Sequence, residues 1–480
     1  MLCNTIRTAF SAFLSAIVAT TGLSQRNLSP YGPLNVVLIC VDDLRPELNC
    51  FGANYIQSPH IDRLASQGIS FMRHYVNAPS CGPSRYTLLA GRYGPAGNEA
   101  LFLRAEKMSK GEKVHASLPE WFKEKGYTTV SVGKVSHHPG GRGGSDWNDS
   151  AIIEMPGAWD RHLLPVGQWK HPRGVMHGLA HGEIREVPSK MDVFQSAEGD
   201  DSIYPDGGIT DEALRQMKLL AKNESQPFLL AIGIIKPHLP FGAPLSYYDL
   251  YKNVPLPPIP HPQKPEGRTT WHASSEFSAY NRWNRDPNTD QDFADDLRRH
   301  YAACVSYADA QVGKIMDGLR SSGLLNNTVV VLWGDHGWHL GEHAIWGKHS
   351  LFEESLHSPL IITAPTISNR GVKTNATVST LDIFPTLCQL SGIETPTFVQ
   401  GTSLTTIIKN PLQEGHPAFA YTGNASTIRT ATHRMILHKD GYAELYDERT
   451  AEAETKNIAN KQPTLIDQLK LVLQEALKEK

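Results

Sequence analysis

The sequence predicts an α/β fold, a sheet with helices on both faces, followed by a small C-terminal α+β lobe. Three observations predict it. Continuous apolar runs of strand length recur along the first 410 residues, helical patterns separate them, and beyond about residue 410 the rhythm changes.

The run 35–41 (NVVLICV) lies between Pro33 and the pair Asp42–Asp43, which is how a strand buried on both faces reads. Similar runs follow at 227–235 (PFLLAIGII), 328–333 (TVVVLW) and 359–363 (PLIIT), with a weaker one at 127–132 (YTTVSV). Helical patterns cover 58–68, with Ser58 as cap and Pro59 in the first turn, and 117–126, ending at Gly126. Two more cover 210–223 and 296–323. Residues 137–208, rich in Gly, Pro, His and Trp, and residues 252–290, with a Pro-rich run, show little periodicity. In an α/β enzyme, loops of this length would lie over the carboxyl ends of the strands and shape a substrate pocket. Residues 427–446 read as a hairpin, TIRTATHRMILH and YAELYD joined at Asp440–Gly441, and 463–479 as an amphipathic helix. The expected organisation is a signal segment at 1–26, a main domain at 27–410 and a small subdomain at 411–480.

With 46 basic and 49 acidic residues among 480, the net charge is −3, so no global field points to nucleic acid. Arg7 followed by the apolar run Ala9 to Ala19 reads as a secretory signal, too short to span a bilayer, and no later segment is apolar enough to do so. The six cysteines are too sparse for a disulfide scaffold. Cys40, Cys304 and Cys388 read as small buried hydrophobes.

Three apolar runs end in chemically notable groups: Asp42–Asp43, Lys236–Pro237–His238 and Asp335–His336. Strand ends face the crevice of an α/β sheet, and three carboxylates converging there repel one another unless a cation lies between them. A hard divalent metal is the natural inference. Taken alone, Asp42–Asp43 reads better as a turn cap, and beside Asp335–His336 it reads better as part of a metal site. His138, His339, His343 and His349 read as solvated loop residues. His339 and His343 suggest zinc by their proximity to Asp335–His336, but the carboxylates favour a hard cation there.

The segment Cys81 to Arg92 (CGPSRYTLLAGR) resembles the signature of the formylglycine-dependent sulfatases, matching at Cys81, Pro83, Ser84, Arg85, Leu89, Gly91 and Arg92. Further segments, among them NVVLICVDDLRPELNCFG, GYTTVSVGKVSHH, IIKPHLPF and GDHGWHLGEHAIWGKHSLFEES, are similar to the iduronate-2-sulfatase branch. The resemblance implies an alkaline-phosphatase-like fold with a large mixed sheet, one bound Ca2+, conversion of Cys81 to formylglycine, and sulfate-ester hydrolysis. It implies Asp42, Asp43, Asp335, His336 and residue 81 as metal ligands, although histidine is unusual for calcium. It places Lys134 on the sulfate and makes His137 the base that releases it. Arg85 would steady the hydrated aldehyde, and His238 and Lys348 would bind sulfate oxygens and protonate the leaving sugar oxygen. One diol hydroxyl would attack sulfur and the second would drive release, which a serine cannot do. Trp346 reads as a sugar-stacking residue or as core packing.

The expected partners are a sulfated saccharide, such as a 2-O-sulfated uronate or an algal polysaccharide unit, and a formylglycine-generating or anaerobic sulfatase-maturating enzyme. The expected location is secreted or periplasmic, in a bacterial envelope rather than a lysosome. Two other readings are carried. A phosphate or phosphonate ester hydrolase shares the scaffold and differs in relative ester rates. A non-catalytic saccharide binder would keep Cys81 as a thiol.

Overall fold

The computed structural model describes residues 33–141 and 153–478, so the signal-like segment and part of the first long loop lie outside the described residues. Strands β1 (Asn35–Val41), β2 (Ile69–Tyr75), β3 (Thr128–Gly133), β4 (Arg161–Leu163), β5 (Phe228–Ile234), β6 (Thr328–Gly334), β7 (Leu360–Thr363) and β8 (Val372–Ser379) form one sheet. Their order is β8-β2-β7-β6-β1-β5-β3-β4. All neighbours pair in parallel except β7, which is antiparallel to both β6 and β2, so the sheet is mixed.

Alternation along β1 explains the layering. Val37, Ile39 and Val41 join a core shared with helices α1 (Pro59–Ser66), α4 (Pro205–Leu220) and α5 (Gln291–Ser321). Val36, Leu38 and Cys40 point the other way, into a core shared with α2 (Cys81–Ala90), α3 (Leu118–Glu124) and α6 (Ile383–Leu390). A strand apolar at every position is what a sheet covered on both faces requires.

Ser58 does not cap α1 as expected. Its hydroxyl is held by Asn49 N and Asp62, and Asp309 of α5 instead accepts from His60 N at 3.1 Å and Ile61 N at 2.7 Å. A carboxylate from a packed helix satisfies the orphan N–H groups better than the local hydroxyl does.

The C-terminal part is more than a hairpin. Strands β9 (Ala418–Tyr421), β10 (Ala425–Arg429), β11 (His433–His438) and β12 (Ala443–Asp447) form an antiparallel sheet. The single run expected at 427–438 is two strands, because Thr430 turns the chain and its hydroxyl accepts from His433 N. Ile428, Met435 and Leu445 pack on Ile466, Leu469 and Leu473 of the last helix, α7 (Pro463–Ala476). Among the described residues, no helix is long and apolar enough to cross a membrane.

Candidate active site

The adjacent strands β6, β1, β5 and β3 end level with one another: Val41 lies beside Gly334 and Ile234, and Gly133 beside Gly233. Residues just past those ends therefore meet at one sheet edge. Asp335 and His336 come from β6, Asp42 and Asp43 from β1, Lys236 and His238 from β5, and Lys134 and His137 from β3. Asp43 adopts a left-handed φ of 56°, and its N–H donates to Asp335 Oδ1 at 2.9 Å, tying two strand ends together. Gly233 leaves room for this arrangement, since a Cβ there would lie 2.0 Å from the Lys134 carbonyl carbon.

Cys81 opens α2, and its Sγ lies 3.2 Å from His336 Nε2 and 3.3 Å from Lys348 Nζ. One turn later, Arg85 donates from Nε to Asp335 Oδ2 (3.0 Å), from Nη2 to Asp42 Oδ1 (3.1 Å) and from Nη1 to the Val135 carbonyl (3.1 Å). Lys134 Nζ donates to the other Asp42 oxygen, and Lys348 Nζ to Asp43 Oδ1 at 2.8 Å. Every one of these side chains is buried.

Burial dominates the electrostatics. It raises all three carboxyls, but Lys134, His238 and Arg85 overcome it at Asp42, which is held well below the usual carboxylate range. At Asp43 burial, opposed by Lys348 and reinforced by Asp42, Glu276 and Asp335, wins, so the carboxyl sits well above that range. Asp335 is pushed up to about 7 by burial and by the Asp42 charge, against Arg85. Three such groups ionise together only around added positive charge. Asp43 Oδ2 has no hydrogen-bond partner. His336 Nδ1 donates to the Gly337 carbonyl at 2.9 Å, which turns the Nε2 lone pair toward Cys81 Sγ and Asp43 Oδ1, each at 3.2 Å. So many acceptor atoms crowded in a dry site suit a cation among them. The ligand atoms of Asp42, Cys81, Asp335 and His336 all lie within 4.8 Å of one another, and so do those of Asp42, Asp43, Cys81 and His238.

His238 Nδ1 donates to the Leu239 carbonyl at 2.6 Å, leaving Nε2 as the titrating atom, 3.5 Å from Glu276 Oε1. Burial and the Lys134 charge hold His238 and His137 well below the usual imidazole range. Lys236 is drawn aside to the Pro240 carbonyl at 2.6 Å. Trp346 is 2% exposed, with its indole N–H on Asn288 Oδ1 (3.0 Å) and its ring stacked 6.2 Å from Phe277, a placement that supports packing over stacking on a sugar.

His138, His339 and His343 are buried rather than solvated, because the long loops close over them; His349 alone of the four is exposed. His138 rests on Glu154 and meets His137 edge-on at 4.4 Å between ring centroids. His339 and His343 do not join the carboxylate cluster. Sequence reasoning missed Glu276, which lies 3.5 Å from Lys348 Nζ, and the chain Arg185, His177 and Tyr280 beside His238. These come from the aperiodic loops, where the only signal was unusual length and composition.

The Sulfatase family model matches residues 34–393, and the model described as N-sulphoglucosamine sulphohydrolase, C-terminal, matches 341–480. The chain is 30% identical over 427 residues to the iduronate 2-sulfatase of Homo sapiens, covering 80% of this chain and 73% of that one. It is 30% identical over 474 residues to a sulfatase of Formosa agariphila, covering 92% and 86%. In fold it is similar to a protein solved with its substrate D-glucosamine-2-N,6-O-disulfate (TM-score 0.69, 20% identity, 93% and 99% covered). It is likewise similar to the phosphonate monoester hydrolase of Agrobacterium radiobacter (TM-score 0.72, 20% identity, 93% and 96% covered). The match along most of its length, with the cysteine signature seated among carboxylates at the strand ends, means that the chain belongs to the sulfatase family and is a sulfuric ester hydrolase.

Proposed function

We propose that this sulfatase removes a sulfate ester from a carbohydrate, with a 2-O-sulfated uronate or a sulfated algal polysaccharide unit as the substrate class. The observation that carries this reading is the complete signature around Cys81, whose side chain opens α2 toward Lys348, His336 and the carboxylates. The uronate is suggested by the relatives named iduronate 2-sulfatase.

In this reading Cys81 Sγ marks the position of the formylglycine oxygens, and a maturating enzyme performs the oxidation. The hydrated aldehyde of formylglycine supplies one hydroxyl to attack sulfur and another to release the product. Asp42, Asp43, Asp335 and His336, with residue 81, would hold a divalent cation, taken as Ca2+ from the oxygen-rich donors. Its charge would lower the pKa of the attacking hydroxyl and offset the sulfate. Lys348 and Lys134 hold the sulfate oxygens, and the protein supplies their positions before the substrate arrives. His238 Nε2, protonated as an anionic ester approaches, donates to the leaving sugar oxygen. His137 takes the proton that accompanies sulfate release. Arg85 holds Asp42 and Asp335 at a fixed separation. Residues 27–410 would form the catalytic domain and 411–480 the small subdomain, in a secreted or periplasmic protein.

The test is sulfate release by the chain coexpressed with a formylglycine-generating enzyme, with Cys81→Ala as control. The panel holds a 2-O-sulfated unsaturated uronate disaccharide, N- and 6-O-sulfated glucosamines, carrageenan and ulvan oligosaccharides, and an aryl phosphate. Release from one saccharide that falls by at least ~10³-fold in the control is expected, since loss of a covalent nucleophile leaves only binding contributions. Turnover of the aryl phosphate alone would replace this reading with that of a phosphate or phosphonate ester hydrolase, a scaffold the chain shares. Saccharide binding that is equal in both proteins, without turnover, would make it a binding protein.

A further inference from the structure

Past the strand end that carries Asp335 and His336, a second group of ligand atoms converges without sharing a side chain with the first. His339, His343 and Glu354 place theirs within 4.8 Å of one another. His339 Nε2 lies 3.4 Å from Glu354 Oε2, and His343 Nδ1 lies 3.7 Å from the same oxygen. The two rings are 0% and 1% exposed, and the Glu354 side chain is 21% exposed. None of the three converging atoms makes a hydrogen bond: His339 Nε2, His343 Nδ1 and Glu354 Oε2 are all buried without a partner, as is the far nitrogen of His343. Buried polar atoms in native proteins are nearly always satisfied, so three orphans facing one another call for something between them.

The local structure aims the ligands. His339 belongs to a short antiparallel ladder, His339–Leu340 against Trp346–Gly347, and Ser355 Oγ holds its Nδ1 at 3.1 Å, with Ser350 Oγ 2.9 Å behind it. With Nδ1–H given to that hydroxyl, the Nε2 lone pair faces Glu354, the outer-contact arrangement usual behind a metal-binding imidazole. His343 sits in the tight turn Glu342–Ala344 with φ 56°, its ring stacked on Phe352 at 4.6 Å. Glu354 comes from the helical turn Glu353–Leu356. A protonated His339 paired with Glu354 would satisfy two of the three converging atoms and leave His343 Nδ1 stranded. Ligands about 2.0–2.1 Å from a tetrahedral zinc ion are about 3.3–3.4 Å apart, close to the separations seen here.

We propose that His339, His343 and Glu354 form a second metal site, separate from the cation site of the ester chemistry, that takes zinc or a similar divalent transition ion. Two imidazoles and one carboxylate suit such an ion rather than calcium. The fourth position opens to water beside the part-exposed carboxylate. The ion would staple 339–344 to 353–356, the segments that flank Lys348 and follow His336.

The test uses the full-length chain without a histidine tag, stripped with chelator and then equilibrated with Co2+ or Zn2+. One tightly held ion per chain is expected, with a tetrahedral Co2+ spectrum, and both survive in Asp335→Asn. Binding weakens at least tenfold in His343→Ala and Glu354→Gln, and ~10–100-fold in Ser355→Ala through the lost outer contact. Thermal melts check that each variant is folded. Anomalous diffraction at the zinc edge on wild-type crystals needs no substitution and locates the ion directly. An ion between the three side chains supports the proposal. Absence of transition-metal binding, occupancy at the carboxylate cluster alone, or wild-type affinity in His343→Ala and Glu354→Gln overturns it.

Discussion

Arg85 shows how one side chain sets the behaviour of several. Its guanidinium donates to both Asp42 and Asp335 and to the carbonyls that follow β3, with no exposure to solvent. Arginine suits this place because its planar fork reaches two carboxylates at once, which the point charge of lysine does not. Removing it leaves two buried carboxylates facing each other. Arg85→Met is therefore expected to lower stability by about 3–5 kcal/mol, measured by denaturant unfolding. Sulfate release should fall by ~10²-fold or more, since the positioned charges of the site are lost. Added Ca2+ should recover part of the stability in this variant, because the proposed cation faces the same carboxylates. No recovery at all would argue that the cation lies elsewhere.

At the scale of elements, level strand ends and helix starts determine which residues meet, and a single ion pair outside the site illustrates how such joints respond to pH. Asp382 accepts from Ser379 N and Thr402 N at 2.8 Å each and lies 2.8 Å from His416 Nε2, while His416 Nδ1 donates to the Pro417 carbonyl. Burial works against the imidazolium, but the Asp382 charge and hydrogen bond outweigh it and push His416 up to about 9. A histidine raised in the folded protein stabilises it fully below the unfolded value of about 6.5 and loses that contribution as pH rises through about 9. The difference in melting temperature between wild type and His416→Gln should thus be largest near pH 6 and shrink toward pH 9.5. Because the ring is about a third exposed, the effect should be small and salt-sensitive. A difference that stays constant over that range would refute the assignment.

Across the whole molecule, the C-terminal sheet is coupled to the segment that carries Lys348. Arg434 of β11, 1% exposed, pairs with Glu454 at 2.6 Å and reaches Glu353, which also receives Arg429 and the Tyr75 hydroxyl. Leu351, Phe352 and Leu356 pack against Ala418, Ala420, Ile436 and Tyr446 in the same interface. Arg434→Met should cost about 3–5 kcal/mol by stranding buried Glu454 and loosening Glu353. Since Glu353 lies five residues past Lys348, kcat should fall more than KM rises. Steady-state kinetics alongside thermal melts check this, and an unchanged kcat in a destabilised variant would uncouple the C-terminal sheet from the site.

What the sequence determined by itself was whatever is local or strongly patterned. Strands β1, β5 and β6 are legible because a strand covered on both faces is apolar at every position, whereas the interior strand β2 carries Arg73 and His74 and is not; the Cys81 signature and the Asp42–Asp43 and Asp335–His336 pairs are contiguous. The edge strand β8 is hard to read because Lys373 and Asn375 are exposed and polar residues outnumber apolar ones along it, and β9 because four residues carry too little pattern. Only the tertiary structure decided that Asp309 caps α1, that Glu276 joins Lys348 and His238, and that His339 and His343 turn inward toward Glu354. Those contacts join residues through aperiodic loops or across separate elements. Their partners are chosen by how the layers pack, which no periodicity along the chain records.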